Sequence, residues 1–179
     1  MLDYITIIFE VDLNYIFAIM NMILIRKAKA NDMVSVLDLI KELAEFEREP
    51  KSVILNVSDL INDGFCNNPK FRCIVAEIKN EVVGMALFYD RYSTWKGRTL
   101  HLEDLIVKKA FRGKGVGKKL YKKFIKIAKK EDVMRAEWVA LDWNVNAIKF
   151  YKNSGAKVLS DWKTIQIDKK SINNYLIKK

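Results

Sequence analysis

The sequence is poor in residues that stiffen, staple or ligate: among 179 residues there are two prolines, two cysteines and one histidine. So little proline, in a chain that is half hydrophobic, predicts a compact rather than a disordered chain, and the length fits one domain with its own core. Cys66 and Cys73 are too few for a disulfide framework and do not have CxxC spacing, which excludes a stapled scaffold and a cysteine zinc knuckle. Both are expected to be buried small apolar residues. With His101 as the one histidine, no metal site is expected, and the chain reads as a reduced, cytoplasmic protein. Basic residues are absent from 1–21, "MLDYITIIFEVDLNYIFAIMN", which does carry Asp3, Glu10 and Asp12. A signal peptide needs a positive start, and a spanning helix needs about 20 apolar residues without charge. Neither pattern fits, so no membrane partner is expected. Residues 1–21 are expected to be an extension without catalytic role, with the domain running over 22–179 from Met22.

Positive charge, in contrast, is abundant. Thirty-two Lys and Arg against 22 Asp and Glu leave a formal net charge of +10. That balance favours anionic ligands, although composition assigns most of it to a lysine-rich solvated surface.

Hydrophobic periodicity organises the chain. "MILIRKA" (22–28) reads as a strand entering the core. Asn31 or Asp32 can cap a helix with apolar positions Val36, Leu37, Ile40, Leu43 and Ala44, ended by "KELAEFEREP" at Pro50. Ser58 is expected to cap a short helix over 58–63, stopped by Gly64. "RCIVAEI" and "VVGMALFYDRY" are strands joined by "KNE", and "TLHLEDLIV" (99–107) is another. A helix follows over 117–131, with Leu120, Tyr121, Phe124, Ile125 and Ala128 as its apolar face. "MRAEWVALDW" is predicted to be a strand, Asn144 to cap a helix over 145–153 ending at Gly155, and short strands to follow near 156–159 and 162–168. The expected class is α/β (α+β), a mixed and mostly antiparallel sheet flanked by helices.

"AFRGKGVGKKL" (110–120) carries the most chemical information. A strand, a glycine-rich turn and a helix offer free backbone N–H groups and the positive end of a helix dipole to one anion. No Walker pattern is present, since no Lys-Ser/Thr closes the loop. The glycines at 113, 115 and 117 also lack Rossmann spacing. What remains, R-G-x-G-x-G, matches the R/Q-x-x-G-x-G/A signature of the GNAT N-acetyltransferases, whose loop grips the pyrophosphate of acetyl-CoA.

Over nearly all of 22–170 the chain resembles the spermidine/spermine branch of that superfamily. The likeness lies in "IKELAEFE", "DGFCNNPKFRCIVAEI", "YSTWKGR", "LEDLIVKKAFRGKGVGKKL" and "LDWNVNAIKFYKNSGA". It is nearest the thialysine type: the polyamine-specific type has an aspartate where Ser93 stands. "GAKVLSDWKT" is also shorter than the family's segment and lacks its extra acidic residues.

Acetyl transfer to an alkyl amine requires removal of a proton from a group of pKa about 10.4 and return of one to a thiolate of pKa about 8.5. Glu103 is the expected base, acting through ordered water. Strand alternation sets Glu103 and Leu105 on one face and Asp104 on the other unless a bulge intervenes, and the resemblance implies a bulge there. Asp104 is expected to hold the cationic amine or to support the site. The resemblance implies Tyr151 as general acid beside the CoA sulfur, and a backbone N–H within Leu105–Val107 as oxyanion donor. Implied cofactor contacts are Leu105, Ile106 and Val107, then Arg112, Gly113, Lys114, Gly115, Val116, Gly117 and Lys118, then Asn144, Val145, Asn146, Ala147 and Tyr151. Implied substrate contacts are Phe46, Glu47, Trp95, Glu103, Asp104, Glu137, Trp138 and Val139. No enzyme nucleophile and no metal is required.

The expected activity is transfer from acetyl-CoA to the primary amine of a small cationic metabolite, lysine-like first and diamine or polyamine second, in a ternary complex. A homodimer exchanging C-terminal segments is implied. Rivals are acetylation of protein or peptide amines and a CoA- or nucleic-acid-binding module without turnover. The basic residues are not interleaved with exposed aromatics and no nucleic-acid motif occurs, so no nucleic-acid partner is expected.

Overall fold

The two strand-like runs joined by "KNE" form the expected hairpin in a computed structural model, which describes residues 22–177. The expectation for residues 1–21 therefore lies outside the described residues. The chain divides into two compact units after Val139.

In the first unit, β1 (Leu24–Lys27), β2 (Arg72–Ile78), β3 (Glu81–Ser93), β4 (Gly97–Val107) and β5 (Arg135–Glu137) lie side by side in chain order. The β1/β2, β2/β3 and β3/β4 pairs are antiparallel, and β4/β5 is parallel. The mixed, mostly antiparallel sheet is the one expected. α1 (Met33–Phe46), α2 (Val57–Gly64) and α3 (Val116–Lys130) supply the helices. Alternation along β3 separates two cores. Met85 and Leu87 join Met33, Val36 and Leu39 of α1 and Leu60 of α2. Phe88 turns the other way and meets Phe124 of α3 edge-on, with ring centroids 5.3 Å apart.

The second unit contains α4 (Val145–Asn153) and α5 (Lys169–Ile177). Asn144 caps α4 as expected, its Oδ1 accepting from the Ala147 N–H at 3.2 Å.

Several expectations are corrected. Asn56, not Ser58, caps α2. Its Oδ1 accepts from the Ser58 and Asp59 N–H groups, and the Asp59 carboxylate accepts from the Asn56 N–H to close a capping box. α1 stops at Phe46, before Pro50. The strand expected over "MRAEWVALDW" is reduced to Arg135–Glu137, because only those residues pair with β4. Residues 156–168 form no strand, and α5, which was not anticipated, follows them. Ile125 is exposed rather than on the packed face of α3, and Leu39, not singled out on α1, is fully buried. Cys73 is buried as expected, but Cys66 is exposed.

Candidate active site

The register of β3 against β4 builds the centre of the site. Leu87 pairs with Asp104 and Phe88 with Leu102, so Glu103 is the extra residue of a bulge. A bulge bends the strand and re-aims side chains. It turns Glu103 and Asp104, which alternation would set on opposite faces, toward one cavity of about 240 Å³, also lined by Ile40, Leu55, Asp59, Leu60, Asp63, Lys70, Phe71 and Leu87. The bulge implied by the resemblance is present.

Glu103 does not stand alone. The Tyr89 hydroxyl donates to its Oε2 at 2.9 Å, and His101 Nε2 lies 3.6 Å from the same oxygen. Tyr89 and His101 are cross-strand partners, with ring centroids 5.2 Å apart. Burial and the Glu103 contact push the Tyr89 phenol up to about 12, so it stays a proton donor at neutral pH. Burial holds the His101 imidazole below its ordinary value, and its buried Nδ1 has no hydrogen-bond partner. Sequence reasoning passed over both residues. The signal available was position: His101 is two residues before Glu103, on the same face of the strand.

Asp104 is half-buried. Burial, then the charges of Glu103 and Glu47, push its carboxyl up to about 7. The charges of Glu103 and Glu47 thus meet at Asp104, and a cation entering there would relieve the repulsion. Because the folded-state pKa is raised, Asp104 contributes stability that is full below about pH 4, the unfolded value, and is lost as pH rises through about 7. Asp104→Asn is therefore expected to unfold at a higher temperature than the parent at pH 8, by an amount reflecting up to a few kcal/mol, with the difference shrinking toward pH 4. Thermal melts across that range check it; equal melting temperatures at pH 8 would refute it.

The glycine-rich turn follows β4. A 3-10 turn at Lys109–Phe111 leads through Gly113 (φ +75°) and Gly115 (φ +80°) into α3. Both glycines sit in the left-handed region, and an added Cβ would meet nothing within 4 Å, so backbone handedness rather than crowding requires them. Gly115 is the N-cap of α3 and provides no side-chain cap, which leaves first-turn N–H groups for an anion. Gly117 lies inside the helix and has no such requirement. Val116 is buried, whereas Lys114 and Lys118 are exposed. Arg112 is engaged within the protein: its Nε donates to the Val107 carbonyl at 2.8 Å and its Nη2 to Glu42 Oε1 at 3.1 Å.

On the other edge of β4, β5 pairs only with Thr99–His101. Beyond His101 no described strand continues along that edge, so among the described strands only β3 pairs with Leu105, Ile106 and Val107.

The expected acceptor contacts do not all converge. Phe46 and Glu47 close α1 and are exposed, with the Glu47 charge felt at Asp104. Trp95, 78 % exposed, is in the β3–β4 turn. Glu137 is paired with Arg91 and Arg135 at 2.8 Å each. Trp138 packs edge-on against Tyr121, and Val139 is exposed. In the second unit, Tyr151 lies on α4 one turn after Ala147, with its ring against Phe150; Val145 and Asn146 open that helix. Among the described residues no group of three His, Cys, Asp or Glu is placed to hold a metal, and no helix is long and apolar enough to cross a membrane.

Comparison with known proteins agrees with this architecture. Residues 34–156 match the model of the acetyltransferase (GNAT) family. Thialysine N-epsilon-acetyltransferase of Bos taurus is 40% identical over 150 residues, 79% of this chain and 88% of that protein. Spermidine/spermine N(1)-acetyltransferase-like protein 1 of Homo sapiens is 36% identical over 143 residues, 76% of this chain and 21% of that protein. Among solved structures, an integron cassette protein of V. cholerae superposes with TM-score 0.71 at 25% identity, over 88% of this chain and 98% of that one. The bulged β4, the glycine turn and these likenesses together establish that the chain belongs to the GNAT acetyltransferase family, as an N-acetyltransferase that transfers acetyl to an amine.

Proposed function

We propose that the protein acetylates the primary side-chain amine of a small cationic amino acid of the thialysine type, taking the acetyl group from acetyl-CoA in a ternary complex. The observation that carries this reading is the charge of the cavity at the Glu103–Asp104 bulge. Its lining includes four acidic residues, Glu103, Asp104, Asp59 and Asp63, which suit an alkylammonium, and one basic residue, Lys70. An amino-acid head presents an ammonium and a carboxylate, and so matches both. A polyamine presents cations only and offers no carboxylate to match Lys70. Ser93, without a carboxylate, points the same way.

Acetyl-CoA supplies an activated acyl group as a thioester. The turn fits its pyrophosphate, because Gly113 and Gly115 leave space and the first turn of α3 lacks a side-chain cap. Gly113 to Lys118 would hold the pyrophosphate, Leu105 to Val107 the pantetheine arm, and Asn144 to Ala147 a further part of the cofactor. In this reading Glu103 receives the ammonium proton through water, with Tyr89 orienting the carboxylate, and the Tyr151 hydroxyl returns a proton to the departing sulfur. A backbone N–H within Leu105–Val107 donates to the carbonyl oxygen. Phe46 and Glu47, at the end of α1, would border the acceptor, with the Glu47 charge reaching Asp104.

We further infer a homodimer through the C-terminal segment. Val158, Leu159, Ile165 and Ile167 are at least half exposed, which is costly in water unless a second chain covers them. A solution mass of one chain at working concentration would count against it.

The functional reading is tested by thiol release from acetyl-CoA with thialysine, lysine, ornithine, putrescine, spermidine and a lysine peptide. Thialysine is expected to exceed spermidine in kcat/KM by about fivefold or more, since one unmatched charge costs about 1 kcal/mol or more in a partly enclosed site. Preference for spermidine would overturn the role of Lys70, and preference for the peptide would overturn the small-metabolite reading.

A further inference from the structure

We propose that Glu42 and Arg112 form a positioning bridge that joins the acceptor helix α1 to the pyrophosphate turn, so that binding of CoA and binding of the amine are coupled. The inference rests on the functional reading above for the amine, but not for CoA.

Glu42 lies one helical turn before Phe46 on α1. Its Oε1 accepts from the backbone N–H of Lys109 at 2.9 Å and from Arg112 Nη2 at 3.1 Å. One carboxylate oxygen therefore holds both ends of the 3-10 turn that leads into Gly113. Arg112 is fixed at two further points. Its Nε donates to the carbonyl of Val107, the last residue of β4, and its guanidinium lies 5.7 Å from the centroid of Phe46. The end of the acid-bearing strand, the anion-binding turn and the acceptor end of α1 thus share one guanidinium and one carboxylate. Glu42 and Arg112 are 70 positions apart, and their side chains keep 33% and 43% of their exposure. The pair is partly screened, so its value lies in placing the turn more than in net stability.

Geometry and charge predict opposite results here, which makes the bridge testable. A carboxylate beside a site for a polyanion should weaken CoA binding by repulsion, so its removal should tighten binding. If the carboxylate holds the turn in its binding shape, its removal should weaken binding. CoA would be titrated calorimetrically into the full chain, the Glu42→Ala and Glu42→Gln variants, and Arg112→Lys, at one ionic strength. Glu42→Ala is expected to raise the CoA Kd about fivefold or more. Glu42→Gln keeps an acceptor oxygen for Lys109 and Arg112, and should recover most of the loss. Arg112→Lys keeps the charge without the fork and should behave like Glu42→Ala. In parallel, CoA should tighten thialysine binding in the parent, and Glu42→Ala should bring that factor toward one while changing kcat less than KM.

Equal or tighter CoA binding by Glu42→Ala overturns the bridge, as does a loss that Glu42→Gln fails to recover. The CoA titration contains no amine, so it succeeds or fails independently of the acceptor assignment. A failed amine panel with an intact CoA result would remove the thialysine reading and leave the bridge standing.

Discussion

Replacing Glu103 with glutamine is expected to lower kcat at pH 7 by about a hundredfold or more, the usual contribution of a positioned general base. Only about one in 2,500 molecules of an amine with pKa about 10.4 is unprotonated at pH 7. A carboxylate that accepts the proton removes that restriction, and an amide cannot. Glutamine nearly matches glutamate in shape and can still accept from the Tyr89 hydroxyl, so the substitution removes the base with little change in packing. The pH profile separates this role from simple attraction of a cation. If Glu103 is the base, the deficit shrinks as pH rises toward 10 and the free amine becomes abundant. If Glu103 only attracts the ammonium, the loss appears mainly in KM, and kcat at saturating amine is preserved.

Tyr151→Phe is expected to lower kcat by about ten- to a hundredfold while leaving the Kd of CoA nearly unchanged. A general acid matters most when the leaving group is basic. The deficit should therefore shrink with an acetyl thioester of a more acidic thiol, such as an aryl thiol. A constant deficit across thioesters would make Tyr151 a packing residue, consistent with its ring contact to Phe150. With both substitutions measured, the amine and thiol halves of the reaction are probed separately.

Legibility in the sequence followed the range of the forces involved. α3 could be read because its apolar positions recur locally, and four of the five expected on its packed face are buried. The Asn144 cap could be read because its partner is three residues away. The Asn56 cap was missed although it is equally local, since Ser58 two residues later carries the same kind of oxygen. Residues 156–168 were misread because alternation marks a strand only where a neighbour completes its ladder. The exposure of Cys66 was misjudged because a thiol's burial is set by what folds over it, not by its own chemistry.

By itself the sequence determined the sheet class, the glycine turn and the acidic pair at 103–104. Each rests on residue type at short spacing: alternation, positive φ at Gly113 and Gly115, and adjacent carboxylates. Only the tertiary structure decided that Tyr89 holds Glu103, that Asp104 is pushed up to about 7, and that Glu42 reaches Arg112 across 70 residues. The physical reason is common to all three. Hydrogen bonds, desolvation and charge coupling act within a few ångströms, and no local pattern in a chain encodes which distant residues the register of β3 on β4, or the packing of α1 against the sheet, will bring that close.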